Sequence, residues 1–194
     1  MRKVFMILAV FAVTAVYAGD GHAYVGTNSC KMCHKSEAKG NQFGQWEKSV
    51  HANALETLKN EASLAIAKKA GLTGPPSESP ECLSCHTTGF GTDTGYKVLT
   101  AEFIADPVNA KAVKKNNSLS AVGCEGCHGP GKDYKSKKTM VGIQDGSIDG
   151  ASVGLWTPDE AVCKTCHNEK SPTFKEFNFE ERVKEFAHPY PAAG

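Results

Sequence analysis

Four times the chain sets two cysteines three apart with a histidine directly after the second: CKMCH from Cys30 to His34, CLSCH from Cys82 to His86, CEGCH from Cys124 to His128 and CKTCH from Cys163 to His167. All 8 cysteines and four of the 7 histidines are used in this way. Two thiols at this spacing, on a single turn of helix, reach the two vinyl groups on one side of a porphyrin and form thioethers, while the next imidazole turns under the ring to ligate iron. Paired C-x-x-C runs also occur in zinc ribbons, in thioredoxin-type redox sites and, in secreted chains, as disulfide frameworks. None of these needs a histidine after every second cysteine. The pattern therefore predicts four covalently bound haem c groups, with thioethers at Cys30, Cys33, Cys82, Cys85, Cys124, Cys127, Cys163 and Cys166 and proximal iron ligands at His34, His86, His128 and His167.

An iron that only passes electrons is best served by two strong axial ligands, because constant coordination keeps the rearrangement on reduction small. Four irons need eight such ligands, one more than the histidines present. His22, His51 and His188 remain as distal candidates after the proximal four are set aside. Methionine is the usual substitute and raises the potential of the iron it holds. Met1 and Met6 lie in the leader and Met32 between the cysteines of the first motif, which leaves Met140, with Lys138 as a weaker option. At least one iron is expected to lack a distal protein ligand.

The elements that must position these groups read as helices and irregular turns with little β-structure. Residues 44–70 read as one long helix, with Trp46, Val50, Ala54 and Leu58 at four-residue steps, His51 beside that stripe and Gly71 just past the end. GPPSESP then leads as a loop into the second motif, and TGFGTDTGYKVL suggests a short glycine-rich hairpin with Tyr96 and Val98 on one face. Asp106 followed by Pro107 opens a further helix. Thr157, Pro158 and Glu160 read as the start of the helix carrying the fourth motif, and Asn178 with Glu181 as the start of a last helix delivering His188. The glycines of VGCEGCHGPG, residues 122–131, remove side chains where backbone must lie flat between closely spaced porphyrins.

Arg2 and Lys3, an apolar run and the small residues Val16 and Ala18 read as a secretory signal over residues 1–18, cleaved after Ala18, with a cut after Ala23 as the alternative. Residues 19–194 then form a single domain whose core is mostly cofactor. No second apolar segment follows, so no transmembrane span is expected, and the periplasm or the exterior is the expected location. A formal net charge of +1 gives no general pull toward nucleic acid. Lys132 to Lys138, and Lys111, Lys114 and Lys115, read as solvated faces before they read as docking patches for an acidic partner.

The segments around the motifs resemble the tetrahaem cytochrome c-554 family, electron acceptors of hydroxylamine oxidoreductase. The similarity is carried by CKMCHK with QWEKSVHANALETL, by CLSCHTTGFGTDTGY, by VGCEGCHGPG and by FNFEERVKEFAH. The resemblance implies a mainly helical fold wrapped around four closely packed haems in stacked pairs, three irons held by two histidines and one five-coordinate. It places the five-coordinate iron on the second motif, Cys82, Cys85 and His86, and the helix and late distal histidines at His51 and His188. The family's further distal histidine, shortly after CHGPG and near Lys138, is missing here, which leaves the first iron to His22, to Met140 or to neither. The stretch ADPVNAKAVKKNNSLSA is longer than its family counterpart.

The function expected is that of an electron carrier between redox partner proteins, more an electron-transfer protein than an enzyme, since no residue pattern supplies a catalytic acid–base pair. Two other readings compete. A five-coordinate iron could reduce a small nitrogen oxide such as nitric oxide, or chains could assemble into a conducting filament.

Overall fold

Each motif sits where a helix starts or ends, as the one-turn geometry of thioether attachment demands. The computed structural model describes residues 21–188; the leader assigned to residues 1–18 lies outside the described residues. In chain order the helices are α1 (Asn28–His34), α2 (Gln42–Glu47), α3 (Ala54–Thr57), α4 (Glu61–Lys69), α5 (Pro80–His86), α6 (Ala101–Ala105), α7 (Ala110–Asn117), α8 (Cys124–His128), α9 (Lys137–Gln144), α10 (Glu160–Lys164) and α11 (Phe179–Phe186). The first three motifs close α1, α5 and α8, and the fourth runs out of α10 into the turn at Thr165–His167. Among the described residues there is no strand. The fold is mainly α, helices and loops, as expected.

The long helix expected over 44–70 is broken into α2, a 3-10 turn over Val50–Asn53, α3 and α4. Ser49 is extended, and the carbonyl of His51 accepts from the Val122 N–H at 3.2 Å, a contact with the approach to the third motif that a continuous helix would forbid. Asn60 then restarts the helix as an N-cap, its side chain accepting from the Ser63 N–H at 2.8 Å. The four-residue stripe survives only in part. Ala54, Leu55 and Leu58 are buried, whereas Val50 is 71% exposed. The far end behaves as read: Gly71 is left-handed, its N–H donates to Lys68 and that of Leu72 to Ala67, which closes α4 with a Schellman motif.

Residues 88–96 form a folded loop and not a two-stranded ladder. The Tyr96 N–H donates to the Thr88 carbonyl at 3.0 Å, and Thr92 Oγ1 accepts from the Gly95 N–H while donating to the Gly89 carbonyl. A Cβ on Gly95 would lie 1.7 Å from the Gly89 carbonyl oxygen, so the two backbone strands cross too closely for sheet pairing. Asp106 caps a 3-10 turn, accepting from the Val108 N–H, before α7 begins at Ala110. The fourth-motif helix starts two residues later than read: Asp159, not Thr157, is extended and accepts from the Val162 N–H at 2.8 Å. Asn178 caps α11 as expected, accepting from Glu181.

Apolar burial is slight. The core cluster is Leu55, Leu58 and Leu83, with Phe90, Tyr96 and Cys82 against it. Polar ties supply the rest: Thr88 Oγ1 donates to the Ala121 carbonyl and accepts from the Gly123 N–H, and Trp46 Nε1–H donates to the Val122 carbonyl, joining the segments that follow the first and second motifs to the third.

The glycines of the third motif meet protein at close range. A Cβ on Gly123 would lie 2.2 Å from Thr27 Oγ1, and one on Gly129 would lie 2.4 Å from the Gly154 carbonyl and 2.9 Å from the Trp156 indole. Gly129 also holds φ 78°, ψ 172°, a region open in practice only to glycine. Gly129→Ala combines that strain with overpacking and is expected to cost about 2–4 kcal/mol, read from the guanidinium midpoint. A loss below about 0.5 kcal/mol, within the ordinary surface range, would show that the loop after His128 yields freely.

Candidate haem centres

The fold brings histidines from distant segments into opposed pairs. The ring of His51, on the turn after α2, lies 6.1 Å from that of His167, with planes at 80°. His188, just past α11, lies 6.0 Å from His128, with planes at 62°. Two imidazoles that grip one metal ion from opposite sides, each nitrogen about 2 Å from it and each ring centre about 1 Å farther out, stand about 6 Å apart between centres. Both pairs have that spacing, and in each a proximal motif histidine faces a distal candidate.

The rings are also prepared as ligands. Nδ1–H of His188 donates to the Phe186 carbonyl at 2.6 Å, and Nδ1–H of His86 donates to the Ala54 carbonyl at 2.7 Å, so in both the lone pair for a metal lies on Nε2. Burial first, and the neighbouring His188 second, hold His128 down to about 4. Burial likewise lowers His51 and His167, with the Arg182 charge acting in the same direction on both. The neutral imidazole favoured by these surroundings is the form that iron accepts. Aromatic rings pack behind two of the ligands: Phe186 lies 4.7 Å from His51, and Phe177 stacks on His167 at 4.7 Å and 18°.

Among the described residues the ring contacts bring no second histidine to His34 or His86. His22 is engaged elsewhere, its Nδ1 2.6 Å from Asp133 Oδ2 and its ring against Gly154. Met140 lies on α9, half-buried.

The cysteines set the neighbours of each attachment point. The Cys30 and Cys124 thiols are close enough to shift each other's acidity, as are those of Cys85 and Cys166. Cys127 lies within the field of Cys163. The sulfurs of the first motif thus border the third, those of the second border the fourth, and the third and fourth adjoin. None of the eight is disulfide-bonded, and all are at least partly accessible to a porphyrin edge. The donor set fits haem: eight thiols in four one-turn motifs, neutral imidazoles, and two opposed pairs at the spacing of one metal ion.

One buried group escapes a reading of the motifs. Glu125, between the cysteines of the third motif, is 1% exposed, and its carboxylate accepts from the N–H groups of Val25 at 2.9 Å, Gly26 at 2.7 Å and Gly131 at 2.6 Å. It joins the segment before the first motif to the loop after the third. An acidic residue among glycines at the variable position of CEGCH was the available signal.

The chain is similar to known proteins in sequence and fold. The family described as cytochrome c554 and c-prime matches residues 29–129. Cytochrome c-554 of Nitrosomonas europaea is 29% identical over 137 residues, 69% of this chain, and the match spans 50% of that protein, about half its length. The solved structure of the reduced state of cytochrome c554 from Nitrosomonas europaea superposes with a TM-score of 0.54 at 28% identity, over 84% of this chain and 78% of the other.

Proposed function

We propose, since this chain belongs to the cytochrome c554 and c-prime family and is a c-type electron carrier with four covalently bound haem c groups, that it works in the periplasm or outside the cell, between redox partner proteins. The observation that supports the assignment of ligands is the pair of histidine contacts at 6.0 and 6.1 Å. On this reading His128 and His188 hold the iron of the third motif, and His167 and His51 that of the fourth. His34 and His86 hold the first and second irons from one side. The cysteine pairs of each motif form the thioethers.

Haem, when bound, supplies a reversible one-electron iron couple. The chain's part is to keep that couple's surroundings constant. Nδ1 bonds from His188 and His86 to backbone carbonyls lock ring orientation, so the ligand does not swing as the charge on the metal changes. The order of attachment points supported by the sulfur contacts is first, third, fourth, second, which places the second motif at one end of the series. His86, with no histidine facing it, supports a second reading in which nitric oxide or a similar small molecule enters at that end.

Export is proposed from the leader at residues 1–18. No helix among the described residues is long and apolar enough to cross a membrane. The segment behind the leader is tied down: the Ala23 carbonyl accepts from the Lys132 N–H at 3.0 Å, and Val25 and Gly26 are held by Glu125. Cleavage after Ala18 keeps His22 on Asp133, whereas cleavage after Ala23 discards both contacts. The intact mass of the exported protein is expected to equal residues 19–194 plus four haems. Fewer haems would overturn the thioether assignment, and a start at Tyr24 would overturn cleavage after Ala18 in favour of cleavage after Ala23.

A further inference from the structure

Between the turn that carries His51 and the last turns of α11 lies a cavity of about 340 Å³, lined among others by Lys48, Ser49, Val50, Arg182, Glu185 and Phe186. Ser49 Oγ is shut off from solvent and has no hydrogen-bond partner. A buried hydroxyl without a partner is unfavourable, and an acceptor placed beside it relieves that cost. Two cations face the same space. Arg182 gives Nη1–H to Glu185 Oε1 at 2.7 Å, which leaves other donors of its five-donor fork free for a second carboxylate. Lys48 adds a second positive charge, and the two together outweigh Glu185.

The cavity adjoins the axis of one histidine pair. Phe186, in its wall, packs on His51 at 4.7 Å; Val50 precedes His51 in the chain; and the Arg182 charge reaches both His51 and His167. Propionates leave a porphyrin on the edge opposite the vinyl groups that form thioethers. Neither Cys163 nor Cys166 lines the cavity, as a propionate site requires.

We propose that this cavity receives the propionate carboxylates of the haem held between His51 and His167, with Arg182 and Lys48 as counter-charges and Ser49 Oγ–H as hydrogen-bond donor. The proposal rests on the reading that those two histidines share an iron. A carboxylate there gives Ser49 its acceptor. The cations keep the propionates ionised and disfavour the more positive ferric state, so they raise that haem's potential.

The test is EPR-monitored potentiometry of the holoprotein and its Arg182→Gln, Lys48→Gln and Lys184→Gln variants, repeated from acid to neutral pH. Lys184 lies on the same helix but outside the cavity. Arg182→Gln and Lys48→Gln are expected to shift the midpoint of one and the same haem negative. They should also give it a potential that falls as pH rises, because the propionate then titrates within the range; Lys184→Gln should do neither. An unshifted, pH-independent midpoint in both cavity variants, with all low-spin signals retained, would overturn the propionate assignment and leave the histidine pair standing. Retention of every low-spin signal in His51→Ala would instead remove the pair, and the proposal with it.

Discussion

His188→Ala is expected to turn one low-spin iron high-spin while the intact mass still shows four haems. His51→Ala is expected to do the same to a different iron. The thioethers and proximal ligands come from the motifs, so neither replacement touches covalent attachment. Each removes the histidine whose ring faces its proximal partner among the described contacts: His188 opposite His128 at 6.0 Å, His51 opposite His167 at 6.1 Å. The irons are distinct, so the double variant should lose two low-spin signals. His22→Ala serves as the contrast, because His22 bonds Asp133 and faces no proximal ring in the described contacts. Its low-spin signals should be unchanged. Unaltered spectra in both His188→Ala and His51→Ala would mean that the two pairs do not share an iron. The effects should not be wholly independent in energy, since Phe186 packs its ring on His51 and gives its carbonyl to His188.

Glu125→Ala is expected to be the most destabilising single change away from the ligands. It leaves the N–H groups of Val25, Gly26 and Gly131 without an acceptor, those of Gly26 and Gly131 buried. Each orphaned donor costs about 1–3 kcal/mol, so a total loss of about 3 kcal/mol or more should appear in the guanidinium midpoint. Glu125→Gln keeps the size but turns an amide NH2 toward N–H donors, and should recover only part of the loss. The pH dependence separates charge from shape. Burial pushes the Glu125 carboxyl above its usual value of 4.5 despite the three N–H bonds. Over the window between 4.5 and the raised folded value, the folded state keeps a proton that the unfolded chain has released, so wild-type stability falls as pH rises. Glutamine does not titrate. The advantage of wild type over Glu125→Gln should therefore be largest below 4.5 and narrow as pH rises through the folded value. A gap that widened with rising pH would show that the N–H bonds outweigh burial.

The cysteine–histidine motifs are legible in the sequence because thioether chemistry is local: five consecutive residues on one turn satisfy it. Helix termini were legible for the same reason, as the Asn178 side-chain cap and the left-handed Gly71 show. What could not be read is what depends on distant partners. The stripe Trp46, Val50, Ala54 and Leu58 suits a continuous helix, but the bond from Val122 to the His51 carbonyl breaks it and sets the turn that aims His51. Which distal histidine meets which motif is likewise a property of tertiary structure, since residues 51 and 167, or 128 and 188, share no local pattern. The glycine-rich stretch shows the same limit. Its glycines were read as clearance for porphyrins, and the structure adds close protein contacts of Gly123 and Gly129 with Thr27, Gly154 and Trp156. Glu125 sits at a position that the motif leaves variable.

The central claim is that two irons are closed by histidine pairs while those on His34 and His86 have no facing histidine among the described contacts. Low-temperature EPR of the oxidised holoprotein, with nitric oxide then added to the reduced form, tests it most directly. The account predicts bis-histidine low-spin signals together with a high-spin signal, and nitrosyl formation without loss of the low-spin species. Four low-spin irons and no nitrosyl would contradict it.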